Sequence, residues 1–144
     1  MQTALTLETL TSIGLSVIFG AIVGIEREHA HRPAGLRTHM LVCLGSCLFT
    51  IMSTSFGGQP AQVAGGIVAG IGFIGAGTIW AEKDKRNSGE IVQGITTAAS
   101  LWATSAIGLT AGIGDYPLAA VVTGFVILIL SSKYIFQKVG VEQK

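Results

Sequence analysis

The chain has 144 residues and a net charge of +1, with 49% hydrophobic residues, 20 glycines and only 12% charged residues. Soluble domains carry roughly 25% charged residues, so this balance excludes an ordinary soluble globular domain. The small net charge gives no basic field for nucleic acid, and the length allows one domain.

Taken in order, the chain offers five apolar runs. A hydrocarbon core about 30 Å thick needs roughly 20 residues of helix. Helices are expected over about 10–30, 39–56, 63–80, 91–113 and 118–136. Backbone groups in lipid must be satisfied within their own segment, which makes each span a helix. The fold class is therefore all-α and integral to a membrane, a bundle of about five transmembrane helices in a single domain. Residues 1–10 contain no Lys or Arg and lead to no small-residue cleavage site, so the first run is kept as a helix and not a signal peptide.

The connections agree with this division. Arg32-Pro33-Ala34-Gly35 ends the first helix, because proline disfavours helix at the residue before it. Gly57-Gly58-Gln59-Pro60 reads as a turn, 81–90 as a charged loop, and Gly114-Asp115-Tyr116-Pro117 as a tight turn.

Charge placement tests the topology separately. The nine basic residues are Arg27, Arg32 and Arg37, then Lys83, Lys85 and Arg86, then Lys133, Lys138 and Lys144. With five spans all of them lie on one side, and the positive-inside rule makes that side the cytoplasm. The N-terminus is then outside and the C-terminus cytoplasmic, in a multi-pass membrane protein.

Small residues recur at helix-packing spacing: Ser16, Gly20 and Gly24 on span one, Gly66 and Gly70 on span three, and Ser100, Thr104, Gly108 and Gly112 on span four. Gly65, Ala69, Gly72 and Ala76 line a second face of span three. Such stripes let helix backbones approach closely, either within one chain or between two. Span three, with Gly70, Gly72, Gly75 and Gly77, reads as a thin helix packed on both sides or as a broken one.

The richest polar segment is 26–39. Glu28 and Arg32 are spaced as an i,i+4 pair. Glu26 lies nearer the lipid core and needs Arg27, Arg37 or a cation as partner. The choice is between a structural ion network and an ion-binding site, and the candidate set is Glu26, Arg27, Glu28, Arg37 and His39 with the hydroxyls of Thr96 and Thr97. His39, Cys43 and Cys47 share a helix face. They form a soft-metal set only if one helix wraps all three around an ion, so small buried side chains and free thiols are the plainer reading, and the metal is left open. Trp80, beside the charged loop, suits an interfacial anchor. No nucleophile, base and orienter occur together and no cofactor fingerprint is present, so neither an enzyme nor a cofactor is expected.

Three blocks together resemble the MgtC/SapB family of bacterial and archaeal membrane proteins. They are Gly20-Ala21-Ile22-Val23-Gly24-Ile25-Glu26-Arg27-Glu28 leading to Arg32-Pro33-Ala34-Gly35-Leu36-Arg37-Thr38-His39, then the glycine-rich run Gly70 to Gly77, then Gly94-Ile95-Thr96-Thr97-Ala98-Ala99 with Trp102. The resemblance implies a five-helix membrane domain in a family associated with magnesium limitation and, in pathogens, with survival inside host cells. Two departures follow from it. Gln59 and Gln62 stand where many members carry an Asp and an Arg, and no soluble C-terminal domain is expected after span five. The resulting expectation is a regulatory membrane subunit, docking on a second copy of itself or on a partner such as an ion pump or ATP synthase. The alternative is a carrier or channel for magnesium or another cation, with Glu26, Arg37, Thr96 and Thr97 at its inner mouth and span three as a broken helix; against it, Asp115 is the only candidate acidic partner at the outer mouth, and it lies in a turn.

Overall fold

The computed structural model describes residues 5–55, 59–83 and 90–138. Five helices and one small hairpin follow in the order α1 (Leu7–His29), α2 (Leu36–Ser55), α3 (Pro60–Ala76), β1 (Trp80–Lys83), β2 (Glu90–Gln93), α4 (Ile95–Gly112) and α5 (Tyr116–Lys138). The sequence expectations on Gly57, Gly58, Lys85, Arg86 and Lys144 lie outside the described residues.

Local chemistry sets the helix ends. Thr6 caps α1, its hydroxyl accepting the Thr9 N–H at 3.1 Å. The other end of α1 closes with Arg32 N–H on the Arg27 carbonyl and His31 N–H on the Glu28 carbonyl, both 3.0 Å. This paired closure puts one residue in the left-handed region, and here it is His31, at φ 53°. α4 closes in the same way with Gly114 at φ 87°, after which the Asp115 carboxylate accepts the Leu118 N–H at 3.1 Å and caps α5.

The hairpin corrects two expected boundaries. Span three was expected to reach residue 80, but α3 stops at Ala76. Span four was expected from residue 91, but α4 starts at Ile95. Trp80, Ile91 and Val92, read from sequence as ends of apolar spans, sit in strands that pair antiparallel, Trp80 with Gln93 and Glu82 with Ile91. Aromatic and β-branched residues suit strands. Gly94, at φ 92°, then turns the chain into α4 with its α-carbon packed against the Thr78 carbonyl.

Among the described residues two helical stretches, Leu7–His29 and the Leu36–Thr54 part of α2, are long and apolar enough to cross a membrane, while Pro60–Ala76 and the Tyr116–Ser132 part of α5 are shorter apolar stretches. α4 falls below that standard because it carries Thr96, Thr97, Ser100, Thr104, Ser105 and Thr110. Yet α4 is the centre of the bundle, packing on α1, α2, α3 and α5, with Leu101, Thr104 and Ile107 fully buried. Its hydroxyls explain how this is tolerated. Ser100, Thr104, Ser105 and Thr110 each donate to a carbonyl three or four residues back, at 2.8–2.9 Å. A hydroxyl satisfied by its own helix does not carry the cost of an unpaired buried polar group.

The helices meet through glycine. A β-carbon on Gly20 would stand 2.7 Å from the His39 carbonyl oxygen, one on Gly24 2.7 Å from Leu36 Cα, and one on Gly112 2.7 Å from Thr50 Cβ. Gly75 faces Ala98 at 3.4 Å, and Gly77 lies over the carbonyl of its own preceding turn. Gly66, Gly70 and Gly72 differ: among the described residues nothing lies within 4 Å of their β-positions. Gly66 and Gly70, on a different face from Gly72, border an apolar groove of about 590 Å³ between α2 and α3, lined among others by Leu41, Phe49, Val63, Ile67 and Ile74. Large apolar side chains are exposed on several helices, including Ile22, Leu41, Phe73, Phe125 and Leu128.

Candidate functional site: a buried polar junction of three helices

Three helix ends meet at the end of the bundle where α1 finishes and α2 and α4 begin. Arg27 is the last inward-facing residue of α1 and is 3% exposed. Its Nε–H donates to Glu26 Oε2, an ion pair between sequence neighbours. Glu26 Oε1 and Arg32 Nε are also buried, and neither has a hydrogen-bond partner among the described residues. Buried polar atoms are nearly always partnered, so this carboxylate oxygen stands out at the junction.

Across the junction, His39 on α2 is fully buried. Its Nδ1 lies 2.9 Å from the Gly35 carbonyl oxygen and its Nε2 lies 3.1 Å from the Ser100 hydroxyl on α4. Ser100 lies 2.8 Å from the Thr97 carbonyl oxygen. The close approach of α1 and α2 at Gly20 and Gly24 brings His39 within electrostatic reach of Arg27 and Glu26.

The structure thus gathers Glu26, Arg27, His39 and Thr97 at one junction, with Thr97 buried. It leaves Arg37 and Thr96 exposed. Glu28 is exposed too, and the expected Glu28–Arg32 pair gives way to another contact. α1 ends at His29 and the chain reverses at His31, so Arg32 never takes the i+4 position. Glu28 Oε2 instead accepts the Leu36 N–H at 3.0 Å and caps α2. Cys43 and Cys47 are buried free thiols. Both ring nitrogens of His39 are engaged, and among the described residues no three His, Cys, Asp or Glu side chains converge on a metal position. Asp115 is occupied as the cap of α5. Trp80 and Trp102 are both about half exposed.

Sequence reasoning placed Ser100 in a packing stripe and missed its role as partner to His39. The two are 61 residues apart, and no periodicity within either helix shows that α2 and α4 are neighbours.

Residues 13–139 match the MgtC family. The chain belongs to the MgtC family. It is 41% identical to the protein MgtC of Brucella abortus over 123 residues, covering 84% of this chain and 49% of that protein. It is 38% identical to the protein SrpB of Synechococcus elongatus over 136 residues, covering 88% of this chain and 75% of that one. Protein SapB of Bacillus subtilis is 29% identical over 144 residues, with 92% of this chain and 60% of that one covered. The chain spans about half the length of the MgtC relatives it matches. No solved structure matches it. MgtC-family proteins are membrane proteins, and the whole junction, from Glu26 to Ser100, lies within the stretch that matches the MgtC family.

Proposed function

We propose that this MgtC-family chain is a multi-pass protein of the prokaryotic inner membrane, with all five helices crossing the bilayer, the N-terminus outside and the C-terminus cytoplasmic. Its role is regulatory. It acts on another membrane protein, an ion pump or ATP synthase for example, during adaptation to low magnesium. The exposed apolar residues on α1, α2, α3 and α5 support immersion in lipid, and the basic residues, which a count of five spans along the sequence puts on one side, support the orientation.

The observation that carries the regulatory reading is the unfilled flank of α3. Gly66 and Gly70 leave their β-positions open beside an apolar groove, and glycine in a membrane helix allows another backbone to come close. The hydroxyls of Ser100, Thr104, Ser105 and Thr110 donate to their own backbone, which supports a packing role for them. The cation-carrier reading draws on a different observation, the buried Glu26 Oε1 without a partner.

One experiment separates the two. Magnesium flux is measured into sealed liposomes holding the purified protein, the Glu26→Gln variant, or nothing. The regulatory reading expects protein-containing and empty liposomes to match while circular dichroism reports intact helix. Saturable flux that Glu26→Gln abolishes would overturn it and make the chain a carrier.

A further inference from the structure

We propose that His39 is a reversible proton-binding site inside the folded bundle, with the Ser100 hydroxyl turning to serve either charge state. The geometry of four atoms carries this. The Gly35 carbonyl oxygen has no proton to give, so the Nδ1 atom 2.9 Å away carries hydrogen in both charge states. Nε2 is left as the atom that gains or loses the proton, and it faces a hydroxyl able to donate or accept. When His39 is neutral, Ser100 donates to Nε2. When His39 is charged, Nε2–H donates to Ser100 Oγ, and the hydroxyl proton swings to the Thr97 carbonyl oxygen 2.8 Å away. That carbonyl has a second lone pair for the purpose. Each state leaves every polar atom of the set partnered, which a buried imidazole facing an apolar wall or a fixed N–H donor does not achieve.

Burial of the ring opposes a charge on it, so the charged state depends on the partners around it. On α1, Arg27 and Glu26 stand near it as an ion pair of opposite charges. α4 presents the hydroxyls of Ser100 and Thr97 and no ionisable group. On α2, Arg37 is exposed and Cys43 lies one turn further along. Among the described residues α3 presents no ionisable side chain to the junction. Proton uptake therefore places a second positive charge beside Arg27 at the point where α1, α2 and α4 meet, and the proton is felt as a change in how those three helix ends hold together.

The test is imidazole NMR on the protein labelled with ¹⁵N-histidine in detergent micelles. The chain has three histidines. His29 and His31 are exposed and serve as internal references, and His39→Gln assigns the third signal. The expected result at alkaline pH is the Nδ1–H tautomer for His39. As pH falls it converts reversibly to imidazolium while circular dichroism reports unchanged helix. Ser100→Ala is expected to move that midpoint to lower pH by about half to one unit, because a hydrogen bond to the charged ring is roughly twice as strong as one to the neutral ring. Ser100→Thr, which keeps the hydroxyl, is expected to keep the native midpoint. An Nε2–H tautomer, a ring that stays neutral until the helices unfold, or a midpoint identical in Ser100→Ala would each overturn the proposal. The wild-type tautomer and titration need no variant and decide on their own.

Discussion

Gly108 of α4 rests directly on the carbonyl oxygen of Cys43 of α2. A β-carbon at 108 would fall inside that oxygen's contact shell and 2.9 Å from Ser46 Cβ. Both obstacles belong to the packed centre of the bundle, and the carbonyl is backbone that cannot swing aside. Gly108→Ala is expected to destabilise the fold by about 1–3 kcal/mol, the usual penalty of forcing an extra carbon into a filled core. Gly70→Ala makes the same chemical change where nothing lies within 4 Å. There alanine's better helix propensity should be neutral or stabilising by up to about 1 kcal/mol. Thermal unfolding of the two variants in the same detergent checks the opposite signs. Equal losses would show that the α3 glycines are packed within the chain after all.

Gly94 makes a second demand of a different kind. Its φ of 92° lies where a side chain is strained, and a β-carbon there would collide with the Thr78 carbonyl. Gly94→Ala should cost at least about 2 kcal/mol, combining backbone strain with displacement of the hairpin. Hydrogen exchange at Ala98, whose N–H donates to the Gly94 carbonyl at 2.9 Å, is the local readout. Faster exchange there is expected, with exchange at the α4–α5 end unchanged.

Glu28 makes its contribution through an N–H at the start of the next helix. Glu28→Ala removes the acceptor for Leu36 and should cost about 1 kcal/mol, as loss of a helix cap commonly does. Glu28→Gln keeps an oxygen at the same reach and should recover most of it. Leu36 amide exchange distinguishes capping from a general charge effect, because only the alanine variant is expected to expose that amide.

Much of the architecture was legible in the sequence, for reasons that can be traced to residues. Arg32-Pro33-Ala34-Gly35 and Gly114-Asp115-Tyr116-Pro117 break the chain on local chemistry alone, and the structure ends α1 and α4 beside them. The β1–β2 hairpin was not legible. Trp80, Ile91 and Val92 are as apolar as the spans they adjoin, and hydropathy alone does not distinguish a short strand from a helix end. The glycine stripes hid a second distinction. Gly66 and Gly70 repeat at the same interval as Gly108 and Gly112, yet only the latter pair meets another helix of the chain. Spacing reports which residues share a face but not what lies opposite. The same limit applies at the junction. Glu26 and Arg27 stood out by charge, while the His39–Ser100 contact depends on which helices are neighbours.

The way α4 satisfies its own hydroxyls has a mechanical consequence. Bonds that close within a helix do not resist its movement against other helices. What holds α4 in place against α2 is steric fit, where Gly108 and Gly112 sit on the Cys43 and Cys47 carbonyls, together with the hydrogen bond between His39 and Ser100. Ser12 and Tyr116, 2.9 Å apart, tie α1 to α5 instead. Without the His39 tie, the register of α4 on α2 would rest on shape alone at that junction.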